Sequence, residues 1–191
     1  MDPTLTRCSP GPGGPDLDIW LGRAVVRVTH RRETDIEPDA LWAAAKTIRL
    51  SDTSTLGRLV RLRIPGLAPD VAYDEMFRHP PFNVLHEGET ALVAGLVGRI
   101  WTLRRDYPTL ADPDAFRTWS ARGTVRVLFA IWVEPLSSGG SALVSETRVA
   151  ATDRPARVGV AMVRPLIASS HHLVGSEGLE VAIRRAGGAA S

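Results

Sequence analysis

The sequence predicts an α+β protein in which an antiparallel sheet packs against one long C-terminal helix. Runs rich in β-branched residues, with the period-two alternation of strands, fill the middle of the 191-residue chain. The segments 118–136 and 141–152 flank the turn sequence SSGG, which is typical of an antiparallel hairpin. The chain then reaches Thr152 and Asp153, either of which is a sound helix cap, and a helical region is predicted to about Arg185.

The other predicted elements precede this hairpin. They are a strand at 24–32, a helix at 38–48, a strand at 59–64, a loop or lid at 67–81, and two strands within 82–101 around a turn at 87–89. The helix begins at Pro38, a residue that favours the first helical turn. In the strand at 59–64, apolar residues alternate with arginines, so one of its faces is predicted to meet a core.

Length and composition indicate a single domain. Fractions of 44% hydrophobic and 23% charged residues are ordinary for a globular protein. Residues 19–186 are predicted to form the domain, between a disordered Pro/Gly-rich tail at 1–18 and a disordered tail at 187–191. No apolar run is long enough to span a bilayer, and the first residues lack the apolar stretch of a secretion signal, so a cytoplasmic location is expected.

Charge and cysteine content narrow the function classes. The 23 basic and 21 acidic residues are interspersed, which does not favour nucleic acid as a partner. The single cysteine, Cys8, lies in the predicted tail, so neither an internal disulfide nor a cysteine nucleophile is expected. His171 and His172 would point about 100° apart on a helix, and no zinc-binding spacing accompanies them. No metal or cofactor is predicted.

The hairpin assigns residues to the two faces of the sheet. Alternation places an apolar set on the face that meets the core: Val127, Phe129, Ile131, Val133, Leu143, Ser145, Thr147 and Val149. The opposite face carries Arg126, Trp132, Glu134, Glu146 and Arg148. Because unpaired buried charges are costly, Glu146 and Arg148 are predicted to form a solvated structural salt bridge, with a catalytic pair as the alternative. A turn near 138–140 would set Trp132 opposite Glu146.

Several segments, taken in order, carry a resemblance to a known family. They are GLVGRIW (95–101), WVEPL (132–136), SETRVAATD (145–153), RP (164–165) and AIRRA (182–186). Over about residues 22–186 the chain resembles bacterial members of the SRPBCC superfamily, the helix-grip group that includes START domains and aromatic polyketide cyclases. The resemblance implies a curved antiparallel sheet gripping the C-terminal helix, with a cavity between them. Superfamily members bind lipids, sterols, polyketides or hormones there, and some catalyse cyclisation or dehydration.

The leading hypothesis is binding or transport of a small hydrophobic ligand, lipid-, aromatic- or polyketide-like, in this cavity. The residues predicted to line it are Phe129, Ile131, Ser145, Thr147 and Val149 from the sheet and Met162, Leu166 and Ser169 from the helix. His86 and Arg99 are candidates for its polar groups, because His86 alternates with apolar strand residues and an inward Arg99 would pair with a ligand carboxylate or enolate. Arg99 shares a face with Trp101, and an outward Arg99 would pair instead with an acid on the convex surface of the sheet. No catalytic residue is assigned.

Two alternatives stay open. The first is a polyketide cyclase or dehydratase that uses the same cavity, with proton transfer by His86, Arg99 or a helix histidine. The second is a ligand-free interaction domain that forms a homodimer. It rests on Trp132, which stands with Leu128 and Ala130 on the outer face of the sheet, where grouped apolar residues indicate a subunit contact.

Overall fold

The computed structural model describes residues 13–52, 70–102 and 107–189, of which 50, 73, 164–178 and 189 are described in their backbone alone. In chain order the elements are α1 (Asp18–Leu21), β1 (Val26–Thr34), α2 (Pro38–Lys46), a 3₁₀ helix (Leu50–Asp52), α3 (Tyr73–Phe77), β2 (Asn83–Gly88), β3 (Ala91–Gly98), α4 (Pro113–Thr118), β4 (Val125–Pro135), β5 (Ser141–Ala151) and α5 (Arg154–Ala189). The α+β class is therefore confirmed. The strand predicted at 59–64 lies outside the described residues.

Within the described residues, five strands form one antiparallel sheet in the order β1-β5-β4-β3-β2. β1 and β5, the first and last of these five strands in chain order, are thus neighbours, and the β4–β5 hairpin lies at the centre of the sheet. The described part of the predicted loop at 67–81 contains the short helix α3. We call the face that carries Phe129 and Ile131 the inner face and the face that carries Leu128 and Trp132 the outer face.

Two clusters of buried apolar residues lie on the inner face. The α2 cluster joins Leu92, Val133 and Leu143 of the sheet to Leu41, Trp42, Ala45 and Ile48 of the α2 region and to Leu179, Val181, Ala182 and Ala186 of α5. The α3 cluster joins Leu96, Val125, Val127 and Val149 to Met76, Phe82, Ala156 and Val160. The inner face is therefore the core face that the alternation predicts, and the two ends of α5 pack at different positions along it.

The outer face is also covered, which corrects the prediction of a solvated surface. Trp132 is only 4% exposed and lies in a buried cluster that also contains Leu17, Leu21 and Phe116 of α4. Leu17 and Leu21 lie in residues 13–22, which we call the N-terminal segment. Residues 13–18 therefore do not belong to a disordered tail, because Leu17 is part of this cluster. Trp132 is likewise unavailable for the predicted dimer contact. The prediction of a solvated outer face failed because so short a segment has no periodicity that would reveal its packing.

The β4–β5 register differs from the predicted one by two residues. Trp132 lies opposite Val144 rather than Glu146, and Pro135 opposite Ser141 forms the last pair before the turn. Gly139 and Gly140 complete this turn with φ of 89° and 77°, values that favour glycine. A shift of two residues preserves the alternation, so the face assignment of every residue in the hairpin is unchanged.

Asp153 caps the start of α5, as predicted. Its side-chain oxygens accept hydrogen bonds from the backbone N–H of Ala156 at 2.9 Å and of Gly123 at 2.7 Å. These bonds, the one from Ala156 foremost, lower the pKa of the Asp153 carboxyl because they stabilise its ionised form. The carboxylate thus holds the beginning of the helix to the loop that precedes β4.

We expect Asp153→Ala to lower the midpoint of urea unfolding at pH 7, because two backbone N–H groups lose their acceptor. The pKa of Asp153 is lower in the native than in the unfolded protein. Its contribution to stability is therefore present above the unfolded-state pKa and is lost as the pH falls through the native pKa. The urea midpoints of Asp153→Ala and of the parent protein should therefore converge at acidic pH. Asp153→Asn is the matched control, which keeps a capping oxygen. An Asp153→Ala deficit that is unchanged down to the lowest pH would contradict the ionised cap.

Candidate functional site

A band of partly accessible side chains crosses the inner face between its two buried clusters. This central band consists of Val28, His30, Phe129, Ile131, Ser145 and Thr147. Strand pairing sets them in two rows, Val28–Thr147–Phe129 and His30–Ser145–Ile131. Along β4 and β5 the next inner-face residues on both sides are buried, namely Val127, Val133, Leu143 and Val149. In β1 the corresponding residues are the partly exposed Val26 and the exposed Arg32. Accessible surface therefore persists in the middle of the core face, where close packing would remove it.

An aromatic group forms one end of the central band. The ring centroid of Phe129 lies 5.7 Å from that of Phe77 in α3 and 5.6 Å from that of Phe82, and the latter two are 5.0 Å apart. Two of the three contacts are edge-on, the geometry that aromatic rings favour. Toward β1, the band is polar instead, with the two hydroxyls of Ser145 and Thr147 and the imidazole of His30. The band can meet an apolar group at one end and a hydrogen-bonding group at the other.

The structure places the predicted lining residues in three different settings. Four of them, Phe129, Ile131, Ser145 and Thr147, lie together in the central band. Val149 is buried in the α3 cluster beside the band. The side chains of the predicted helix residues Leu166 and Ser169 lie outside the described residues. The sheet residues are therefore brought together, and they are those that alternation alone could assign.

Met162 does not line the inner face, and its prediction is wrong. Its side chain is 67% exposed, like that of Val158 one turn earlier. The buried stripe of this part of α5 runs through Ala156 and Val160. Two residues beyond Val160 correspond to about 200° of rotation around the helix, which carries Met162 to the side away from the sheet.

His86 does not lie on the inner face, because a β-bulge interrupts the alternation of β2. Val84 pairs with Ala94, but His86 pairs with Val93, and the register shifts between them. Val93 belongs to the outer-face cluster, so His86 is aligned with that face, where it is exposed. The predicted pocket role of His86 is therefore wrong. A bulge of this kind adds one residue to the strand and leaves no distinct signal in the alternation.

Arg99 is not a pocket group either. Strand β3 ends at Gly98, whose φ of 143° turns the chain out of the sheet. Arg99 is exposed and donates from Nε to the carbonyl oxygen of Gly123 at 3.1 Å. Trp101, predicted to share its face, packs instead within the α3 cluster, against Gly159 of α5. The strand prediction ran a few residues too far.

Glu146 and Arg148 are buried on the outer face, at 6% and 4% exposure, so the prediction of a solvated pair is wrong. Arg148 Nε donates to Glu146 Oε1 at 2.5 Å. The Nη1 of Arg148 donates to Asp18 Oδ1 at 2.5 Å and to the carbonyl oxygen of Leu21 at 2.9 Å. The guanidinium thus fastens the N-terminal segment onto the sheet.

Glu146 holds further partners at the edge of this network. Its carboxylate accepts from Arg27 Nε at 2.7 Å and from Thr29 Oγ1 at 3.0 Å. Among the described residues, no fully buried side-chain nitrogen or oxygen is left without a hydrogen bond. Each charged group of this network is hydrogen-bonded to another, so the Glu146–Arg148 pair has the structural role that was predicted, although it is buried. The network gives no support to the catalytic alternative.

His30 and Val28 are band residues that sequence reasoning missed. The alternation in VRVTHRR sets Val26, Val28 and His30 on one face, but it does not show which strand lies beside β1. That neighbour is β5, whose Ser145 and Thr147 stand opposite His30 and Val28. Pairing between the first and last strands is a long-range contact, and an apolar pattern within one strand carries no information about it.

No protein-family model and no curated protein matches the chain. Among solved structures, it is similar to TTHA0849 from Thermus thermophilus, at 12% identity and a TM-score of 0.34, over 87% of this chain and 100% of that one. It is also similar to MLL2253 from Mesorhizobium loti, at 16% identity and a TM-score of 0.35, over 84% of this chain and 98% of that one. Likenesses this weak carry no conclusion. In the part of the chain described, no helix is long and apolar enough to cross a bilayer.

Proposed function

We propose that the chain binds a small hydrophobic molecule between the inner face of the sheet and the middle of α5. The observation that carries this proposal is the accessible central band between two buried clusters. Val160 packs in the α3 cluster and Leu179 in the α2 cluster. The helix between them rises about 28 Å at 1.5 Å per residue. It therefore passes from one cluster to the other across the band, and a cavity beneath it would account for the accessible side chains.

The chemistry of the band supports an aromatic or lipid-like ligand with one polar end. Phe77 and Phe129 offer ring faces and edges to an apolar body. Ser145 and Thr147 supply hydroxyls that can bond a carbonyl or hydroxyl of the ligand, the few placed polar groups that such cavities use. The resemblance to SRPBCC proteins implies the same kind of occupant, so the leading sequence hypothesis is retained as the proposal.

We expect Phe129→Ala to weaken binding of the neutral fluorescent probe Nile red about tenfold, since a buried phenyl contact is lost. Met162→Ala is the matched control, because it removes an exposed apolar side chain from the helix. Titrations are compared at a temperature where both variants keep the circular dichroism of the parent protein. Equal affinities of the two variants would place the probe away from the band and contradict the proposal.

The cyclase or dehydratase alternative has lost two of its predicted proton-transfer groups. His86 and Arg99 lie away from the central band, but His30 stands within it, directly opposite Ser145. An imidazole beside a ligand is the group most often used for proton transfer near neutral pH. A candidate polyketide recovered chemically changed after incubation would favour the enzyme, and one recovered unchanged would favour the carrier.

A further inference from the structure

An open cleft of about 590 Å³ lies on the outer face of the sheet, between α1 and α4. Its walls include Trp20, Asp114 and Arg117, and Arg126 of β4 contributes from the sheet. Arg126 stands between Val125 and Val127, whose side chains belong to the α3 cluster on the inner face. The sheet therefore separates this outer cleft from the central band.

Arg126 is a partly buried cation with no acidic partner among the described residues. Its one hydrogen bond there runs from Nη1 to the carbonyl oxygen of Arg117, at 2.6 Å. Burial lowers the pKa of the Arg126 guanidinium, whereas acidic hydrogen-bond partners raise the pKa of Arg31 and Arg78. A guanidinium has five N–H donors, so most of those of Arg126 remain for a ligand or water.

The two acids in the cleft walls are already paired. Asp18 accepts from Arg148 at 2.5 Å, and Asp114 accepts from Arg117 at 3.1 Å. Their carboxylates leave the charge of Arg126 uncompensated by a direct contact. One uncompensated positive charge matches a ligand that carries one negative charge.

Trp20 supplies the apolar surface of the outer cleft. Its half-buried ring lies below the guanidinium carbon of Arg117, 5.9 Å from the ring centroid. Leu21 and the 54% exposed Ile19 flank it. The cleft thus sets an aromatic and aliphatic wall beside a cation that lacks a carboxylate.

We propose that the outer cleft binds a small aromatic monocarboxylate, whose carboxylate is bonded by Arg126 and whose ring packs against the exposed part of Trp20 that Arg117 does not cover. A planar guanidinium binds a carboxylate through two parallel hydrogen bonds, which fixes the orientation of the ring. This charged occupant differs from the hydrophobic molecule proposed for the inner face, and the two sites can be tested separately.

The test is a titration with 2-naphthoate, which is monitored by calorimetry and by the NMR signal of the Trp20 indole N–H. We expect saturable binding that shifts this signal, and at least about tenfold weaker binding to Arg126→Met, as expected for the loss of charge-assisted hydrogen bonds. Arg122→Met is the control, because Arg122 is an exposed arginine of the nearby loop. Phe129→Ala should leave this titration unchanged while it weakens Nile red binding.

Three outcomes would overturn the proposal. They are the absence of saturable 2-naphthoate binding at millimolar concentration, equal affinities of Arg126→Met and Arg122→Met, and equal binding of the neutral analogue 2-naphthalenemethanol. Displacement of 2-naphthoate by inorganic phosphate at equal concentration would overturn the assignment of a monocarboxylate. Because the NMR readout is at Trp20, a shift of that signal reports on the outer cleft whether or not the inner face binds a ligand.

Discussion

Glu146→Ala is expected to lower the free energy of unfolding by about 3–5 kcal/mol, the loss typical when one partner of a buried ion pair is removed. Arg148, at 4% exposure, would keep its charge inside the outer-face core and lose the acceptor of its Nε. Arg27 and Thr29 would lose their acceptor as well. The large effect depends on the cover that Leu17 and Leu21 provide, because a solvated pair contributes little.

Urea unfolding of Glu146→Ala against Glu33→Ala measures this effect. Glu33 pairs with Arg31 on the same sheet, but its side chain is 61% exposed. Removal of a solvated partner of this kind changes stability by about 1 kcal/mol or less. Equal losses for the two variants would mean that Glu146 is solvated, as the sequence pattern alone predicts, and that the N-terminal segment does not cover the outer face.

Phe116→Ala is expected to cost about 3–5 kcal/mol of unfolding free energy, since a fully buried phenyl group would leave a cavity. Phe116 is the residue through which α4 fills the space above Gly95 of β3. An added Cβ at Gly95 would stand 2.7 Å from the Phe116 ring and 2.9 Å from the Leu85 side chain. The Phe116 ring therefore occupies the space that a methyl group at position 95 would need.

Because of this overlap, combining Gly95→Ala with Phe116→Ala tests the contact between the two residues. Gly95→Ala alone should destabilise the chain through crowding against Phe116. In a Phe116→Ala background the same methyl group enters the space that the ring has left, so the two losses should not add. Chemical denaturation of the four proteins of this cycle measures the coupling. Strict additivity would show that Phe116 does not pack over Gly95.

Much of the inner face could be predicted from the sequence because it depends on alternation within single strands. Phe129, Ile131, Ser145 and Thr147 were assigned to it without knowledge of the register, and a register error of two residues left them there. Asp153 could be predicted because a capping residue acts through neighbours only three positions away. These are local signals, and they were read correctly.

The structure of the outer face depends on contacts between distant parts of the chain, which local patterns do not encode. The outer layer escaped prediction because α1 has four residues and α4 has six, too few to show an amphipathic period. Without that layer, Glu146 and Arg148 had to be assigned to solvent. The rotation of α5 about its axis, which the sequence does not reveal, accounts for Met162, and a bulge at a single position of β2 accounts for His86.

If the inner face of the sheet encloses a hydrophobic molecule, the protein should still carry it when purified gently from the cells that make it naturally. Native mass spectrometry, compared with the mass after denaturation, detects such a molecule. We predict a discrete additional mass in the native protein that disappears on denaturation and is reduced in Phe129→Ala but retained in Met162→Ala. Identical native and denatured masses, in a protein that also fails to bind Nile red, would contradict the account.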